Sequence, residues 1–151
     1  MTTTPLKKGA TYEDLREVPD HFVAEIFDGD LHASPRPALP HANASSALLS
    51  EIHKSFHRKG QSGWVILFEP ELHFGRDVLV PDLAGWRRTR LPNDAREGVA
   101  HAWLVDLLAR SLEVMCLAAG RWTPLDRYEG EAKVRRVPFD AVEFELGALW
   151  I

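Results

Sequence analysis

The sequence predicts an α+β domain in which a mixed β-sheet is flanked by helices, and three observations carry that expectation. Ala44, Leu48, Ile52 and Phe56 recur every fourth residue within His41 to Arg58, which gives a helix with one apolar stripe to lay against a sheet. The apolar stretches on either side of Asp28-Gly29 read as a β-hairpin, because a type I′ turn needs positive φ at both central residues and Asp-Gly supplies it. Beyond the long helix, strand-length apolar runs follow one another, a helix-then-strands order that suits α+β rather than strictly alternating architecture.

The totals set the limits. A chain of 151 residues, 45% hydrophobic and 26% charged, is expected to form one domain and can bury a core without disulfides or a structural metal. Cys116 is the single cysteine, so no internal disulfide can form, which fits a reducing compartment. A formal charge of −4 argues against a bulk polyanion binder, but a local basic patch remains compatible with it. Met1 to Gly9 is polar and lacks the apolar core of a signal peptide. No apolar run reaches membrane-crossing length. The expectation is a cytoplasmic protein with no membrane partner. Residues 1–10 are expected to form a flexible tail and 11–151 a single domain.

Element by element, Thr11 can cap a short helix that must stop near Pro19, with Asp14 completing a capping box. Phe22–Phe27 and Asp30–Ser34 are the hairpin strands, and Pro35, Pro37 and Pro40 end the second. The long helix closes with Lys54, His57, Arg58 and Lys59, where positive charge suits the dipole, before Gly60. Strands are expected at 64–68, 71–74 and 78–83, the last one central. Residues 87–98 are polar and turn-rich, and further strands are expected at 101–108, 112–118 and 122–128. The tail, 137–151, mixes acidic and apolar residues with no clear period.

Three stretches, taken in order, resemble the Uma-two family of restriction-endonuclease-like proteins within the PD-(D/E)XK nuclease superfamily. They are Thr11-Tyr12-Glu13-Asp14-Leu15 with Glu25-Ile26-Phe27-Asp28-Gly29-Asp30-Leu31, then Val78-Leu79-Val80-Pro81-Asp82-Leu83, then Arg96-Glu97-Gly98-Val99-Ala100-His101-Ala102-Trp103-Leu104-Val105-Asp106. The resemblance implies a restriction-endonuclease-like fold and DNA as the partner. It places Asp82 as the first catalytic metal ligand and Glu25 as the assisting acid, around Mg²⁺ or Mn²⁺. His41 matches a position that is frequently histidine in the family. The chemistry explains the residue types: a divalent ion held by one or two carboxylates and phosphate oxygens offsets charge and orients water, and a lysine beside a second carboxylate completes such a site.

The family pattern also has a strand and a helix that carry the second carboxylate and the lysine. Here Leu91-Pro92-Asn93-Asp94-Ala95 runs straight into Arg96-Glu97-Gly98, so the sheet is expected to be shortened by a central strand and the active site to be incomplete. Glu131-Ala132-Lys133 spells E-x-K further on, a cheap match that could stand as a second half-site.

Each signal has a plainer reading. Asp82 can be a turn residue after proline, and Glu25 the polar side of a hairpin strand. Arg87, Arg88, Arg90 and Arg96 can be a solvated loop or, near Asp82, phosphate contacts. His41, His53 and His57 suggest zinc, but no Glu follows His53, so the H-E-x-x-H arrangement is absent and surface histidines are expected. Trp64, Trp86, Trp103 and Trp122 are expected to pack on sheet faces rather than stack on bases, and Cys116 to be a buried small hydrophobe. Two functional readings follow: an impaired metal-dependent DNA endonuclease, or a non-catalytic module that homodimerises through exposed sheet edges.

Overall fold

The computed structural model describes residues 4–56, 63–89 and 99–151. These divide into two compact units. The first comprises Met1–Pro37 and Leu67–Glu97, and the second Ala38–Ile66 and Gly98–Ile151. Each draws on two separated stretches, so the division follows the tertiary contacts and is not visible as a linker in the sequence.

In the first unit, Thr11 caps helix α1 (Tyr12–Arg16) through a complete capping box. The Thr11 N–H donates to Asp14 Oδ2 at 2.8 Å, and the Asp14 N–H donates to Thr11 Oγ1 at 3.4 Å. Strands β1 (Phe22–Phe27) and β2 (Asp30–Pro35) pair in antiparallel register, with Ile26 opposite Leu31 and Glu25 opposite His32. The two turn residues take φ of 53° at Asp28 and 75° at Gly29, as a type I′ turn demands. After β4 (Leu72–Phe74) and β5 (Asp77–Leu79), the sheet order is β2-β1-β5-β4. Ile26, Leu31 and Val78 bury on one face with Leu15 and Ala10. Alternation sends Glu25 and His32 to the other face. Helix α1 is tied to the residues before β4 by the Tyr12 hydroxyl, which donates to Glu71 Oε2 at 2.9 Å.

Two expectations are corrected here. Residues 6–10 are not a loose tail: the Leu6 N–H donates to the Leu31 carbonyl at 2.8 Å, the Leu31 N–H donates to the Lys7 carbonyl at 2.7 Å, and the Ala10 N–H donates to the Gly29 carbonyl at 2.8 Å. The cause is the open outer edge of β2, which offers unpaired backbone groups. The strand expected at 78–83 is also two strands: β5 stops at Leu79, and β6 (Leu83–Arg87) starts after Asp82. Pro81 has no N–H to continue a ladder, so regular pairing breaks around it.

Strand β3 (Trp64–Phe68) carries the chain between the two stretches. In the second unit, helix α2 (Leu39–Phe56) buries Ala44, Leu48, Ile52 and Phe56, the stripe read from the sequence. It begins before His41 because Pro40 sits in its first turn, where a missing N–H costs nothing. Strands β7 (His101–Asp106), β8 (Ser111–Ala118) and β9 (Arg121–Glu129) form an antiparallel meander in that order. Leu112 and Val114 are fully buried on one face, and each such side chain contributes about 1.5–3 kcal/mol relative to exposure. On β9 an extra residue, Leu125, bulges between Pro124 and Asp126.

The tail without a clear period folds onto the second unit. Strands β10 (Lys133–Val134) and β11 (Phe144–Glu145) pair, and a short 3-10 helix spans Leu146–Leu149. The Leu149 carbonyl accepts from Asn43 Nδ2 of α2 at 3.1 Å, and Trp150 Nε1 donates to the Gly130 carbonyl at 2.8 Å. Phe139 is the aromatic hub, 4.9 Å from Phe56, 5.1 Å from Trp64 and 5.7 Å from Trp103 between ring centres. Trp64 and Trp103 therefore pack as expected, and Trp86 and Cys116 are half-buried, but Trp122 on β9 is 45% exposed. Every pairing described above is antiparallel. No helix among the described residues is long and apolar enough to cross a membrane.

The Lys7 ammonium beside Asp14, with the Thr11 N–H, holds that carboxyl at about 2, below its ordinary 3.8. A depressed carboxylate stabilises the fold above its unfolded value and loses that contribution as pH falls through the folded one. The N-terminal docking should therefore weaken between pH 3.8 and about 2, followed by amide exchange at Ala10. Thr11→Ala should cost about 1 kcal/mol by urea denaturation at neutral pH.

Candidate functional site

The site expected from the sequence falls within the first unit, and the local structure explains how it forms. Val80 precedes a proline, which favours extended backbone, and Pro81 cannot donate a ladder hydrogen bond. The last regular pairing of β5 on β1 is Ile26 with Val78. The Val80 N–H is thus left without a strand partner, and Glu25 takes it: Glu25 Oε1 accepts from Val80 N at 2.7 Å. That bond sets the Glu25 carboxylate two residues from Asp82, on the sheet face opposite the Ile26 core. Glu25 is thereby tied to the backbone of Val80, two positions before Asp82 in the chain.

Asp82 is exposed and lies just before β6, and Glu25 is half-buried. The Asp82 carbonyl accepts from the Glu69 N–H at 2.9 Å, which fixes its backbone. Glu69 carries φ of 44°, and its carboxylate meets Arg36 NH1 at 3.0 Å. Arg36 NH2 also donates to the Asp20 carbonyl at 3.0 Å. His32, opposite Glu25 in the hairpin register, shares its face. Sequence reasoning missed His32 and Glu69. The first was recoverable, because a two-residue turn at Asp28-Gly29 forces 25 opposite 32. The second was not, because nothing local announces a left-handed glutamate before Pro70.

As a cation site this is sparse. Hard divalent ions take oxygen donors, and Mg²⁺ is commonly held by one or two carboxylates with phosphate oxygens and water. Glu25 Oε2 and the Asp82 carboxylate fit that donor type, with Glu25 Oε1 already engaged by Val80. Among the described residues no group of three or more His, Cys, Asp or Glu is placed to hold a metal ion. Two carboxylates alone would need phosphate and water oxygens to complete such a shell.

The remaining candidates are placed as follows. Arg87 ends β6, and Arg88 follows in a turn, both exposed. Five residues of strand at ~3.3 Å each put Arg87 roughly 17 Å along the chain from Asp82, so it is not adjacent to it. Arg90, Arg96 and His57, like 91–98, lie outside the described residues. Glu131 and Lys133 belong to the second unit. Lys133 Nζ is 3.4 Å from Glu143 Oε1, and the Glu131 carboxylate lies over Gly147, close enough to leave no room there for a Cβ. His41 and His53 sit on α2, half-buried and exposed respectively.

The fold these elements define is α+β, with antiparallel sheets and few helices. The chain is similar to a solved structure described as "a putative nuclease belonging to DUF820 from Anabaena variabilis ATCC 29413", with a TM-score of 0.71 and 17% identity over 93% of this chain and 97% of that one. At that identity the likeness establishes the shared fold. No protein-family model matches the chain, and no curated protein matches it significantly.

Glu25→Gln retains an acceptor for Val80 and should leave stability near wild type. Glu25→Ala strands a half-buried N–H and should cost about 1–2 kcal/mol. The check is urea denaturation together with faster amide exchange at Val80 in the alanine variant alone.

Proposed function

We propose that the chain is a Uma-two-type protein of DNA-endonuclease descent with an incomplete metal site. The supporting observation is that Glu25 Oε1 bonds the Val80 N–H, two residues before Asp82. The likeness to a structure whose description names a nuclease is consistent with that descent. In this reading Asp82 and Glu25 would hold Mg²⁺ or Mn²⁺ with help from a DNA phosphate. The ion would supply charge neutralisation and an activated water. Arg87 and Arg88 would contact phosphates about five base-pair steps away, at 3.4 Å per step along the helix axis. β6 ends at Arg87 and β7 begins at His101. Of the residues between, 88, 89, 99 and 100 are described, and none lies in a helix or strand. Without the second carboxylate and lysine, turnover should fall by a further factor of about 10²–10⁴.

The test pairs binding with cleavage. Mn²⁺ titration should show weak binding that Asp82→Ala abolishes and Glu25→Ala weakens. Plasmid nicking in Mg²⁺ or Mn²⁺ should be slow, and absent in Asp82→Ala. Metal binding indifferent to Asp82→Ala overturns the proposal.

A second reading, self-association without catalysis, is favoured by the open face of β7–β9. There Leu104 is 55% exposed, Leu117 37% and Trp122 45%. Register aligns Leu117 with Trp122 and Leu104 with Glu113 on the same face. A second copy would pack face to face rather than edge to edge. Sedimentation should show a dimer that Trp122→Ser dissociates. A monomer at all accessible concentrations excludes this reading.

A further inference from the structure

We infer that Asp28 is a site of spontaneous isoaspartate formation, and that Asp77 holds the reaction in check by occupying the Gly29 N–H. An aspartate followed by glycine carries electrophile and nucleophile in one dipeptide, and glycine puts no side chain in the way. The Gly29 nitrogen attacks Cγ of Asp28 and forms a C–N bond. The Cγ–O bond breaks, and the hydroxyl leaves as water with the proton that the nitrogen gives up. Water then opens the five-membered imide. Attack at the side-chain carbonyl restores aspartate, whereas attack at the main-chain carbonyl leaves the backbone running through Cβ. The water lost in the first step is regained in the second, so the composition of the chain does not change.

The hairpin turn presents this dipeptide to solvent. Asp28 is exposed, at φ of 53°, and Gly29 follows at 75°. Ring closure requires the peptide between them to rotate until the nitrogen faces Cγ, and it requires that nitrogen to lose its proton. One contact opposes both. The Gly29 N–H donates to Asp77 Oδ1 at 3.2 Å, in a half-buried position. The N–H bond lies in the plane of the peptide that joins Asp28 to Gly29, so an acceptor on it resists rotation of that plane. From the other side the Gly29 carbonyl is held by the Ala10 N–H at 2.8 Å. What the contact protects is the hairpin register. An isoaspartate adds one main-chain carbon to a two-residue loop, and the longer loop no longer matches the type I′ geometry that sets Phe27 opposite Asp30 and Ile26 opposite Leu31.

The rate is read by incubating the folded protein and separating the isoaspartyl form of the peptide that contains residue 28. Asp77→Ala removes the acceptor and should raise that rate about tenfold, equivalent to ~1.4 kcal/mol, near the contribution of a hydrogen bond to a charged group. Asp77→Asn keeps an oxygen acceptor without the charge and should stay close to the wild-type rate. The opposite role, in which the Asp77 carboxylate takes the proton from the attacking nitrogen, predicts slower reaction in both variants. Slowing in either variant therefore overturns the inference, as does a wild-type rate in Asp77→Ala. Amide exchange separates loss of the contact from loss of the fold: in Asp77→Ala the Gly29 amide should exchange fast while Ile26 stays protected. Wild type in urea supplies a reading that no variant can confound. Denaturation should raise the rate at Asp28 at least as much as Asp77→Ala does, and a rate indifferent to denaturation overturns the inference.

Discussion

The arrangement of the first unit depends on the register imposed by the Asp28-Gly29 turn. With both residues at positive φ, the loop has two residues, and every cross-strand pair follows: 27 with 30, 26 with 31, 25 with 32. A slip of one residue would send Ile26 and Leu31 to solvent and Glu25 to the core. The same turn is where neighbouring chain converges. The Gly29 N–H donates to Asp77 Oδ1 at 3.2 Å at the head of β5, and its carbonyl accepts from Ala10. Asp30 Oδ1 accepts from Gly9 N at 3.2 Å. Core packing and the acidic face are thus two consequences of one tight turn.

From that register the candidate site follows as a problem of unpaired backbone. A proline within a strand creates a gap in the ladder, and buried or half-buried N–H groups at such a gap need acceptors. Glu25 answers for Val80, and the Asp82 carbonyl is answered by Glu69. Pro81 interrupts the chain between β5 and β6, and Glu25 supplies Val80 with the acceptor that the sheet does not. Whatever chemistry the site supports is built upon that structural need.

Much of this was legible from the sequence, and the reasons are specific. The hairpin, the α2 stripe and the capping box are local patterns whose physics sits within a few residues, so Phe22–Phe27, Ala44 to Phe56 and Thr11 with Asp14 fall where expected. The split at Pro81, the docking of residues 6–10 on β2, and the folding of the tail around Phe139 depend on partners far along the chain. Asn43 bonding Leu149, or Trp150 bonding Gly130, leaves no periodic trace. Glu25 and Asp82 were readable as types in a pattern, whereas the Arg36–Glu69 pair was not, because it joins residues 33 positions apart.

Strand β9 shows one more consequence of local detail. It is exposed along almost its whole length at the margin of its sheet, the kind of border on which cross-β stacking can begin. Pro124 leaves a missing donor in that border, the Leu125 bulge breaks its spacing, and Arg121, Asp126, Arg127 and Glu129 line it with charge. A foreign strand that aligned with one half would be out of step with the other. The missing donor, the broken spacing and the charge each oppose the regular strand addition by which fibrils grow.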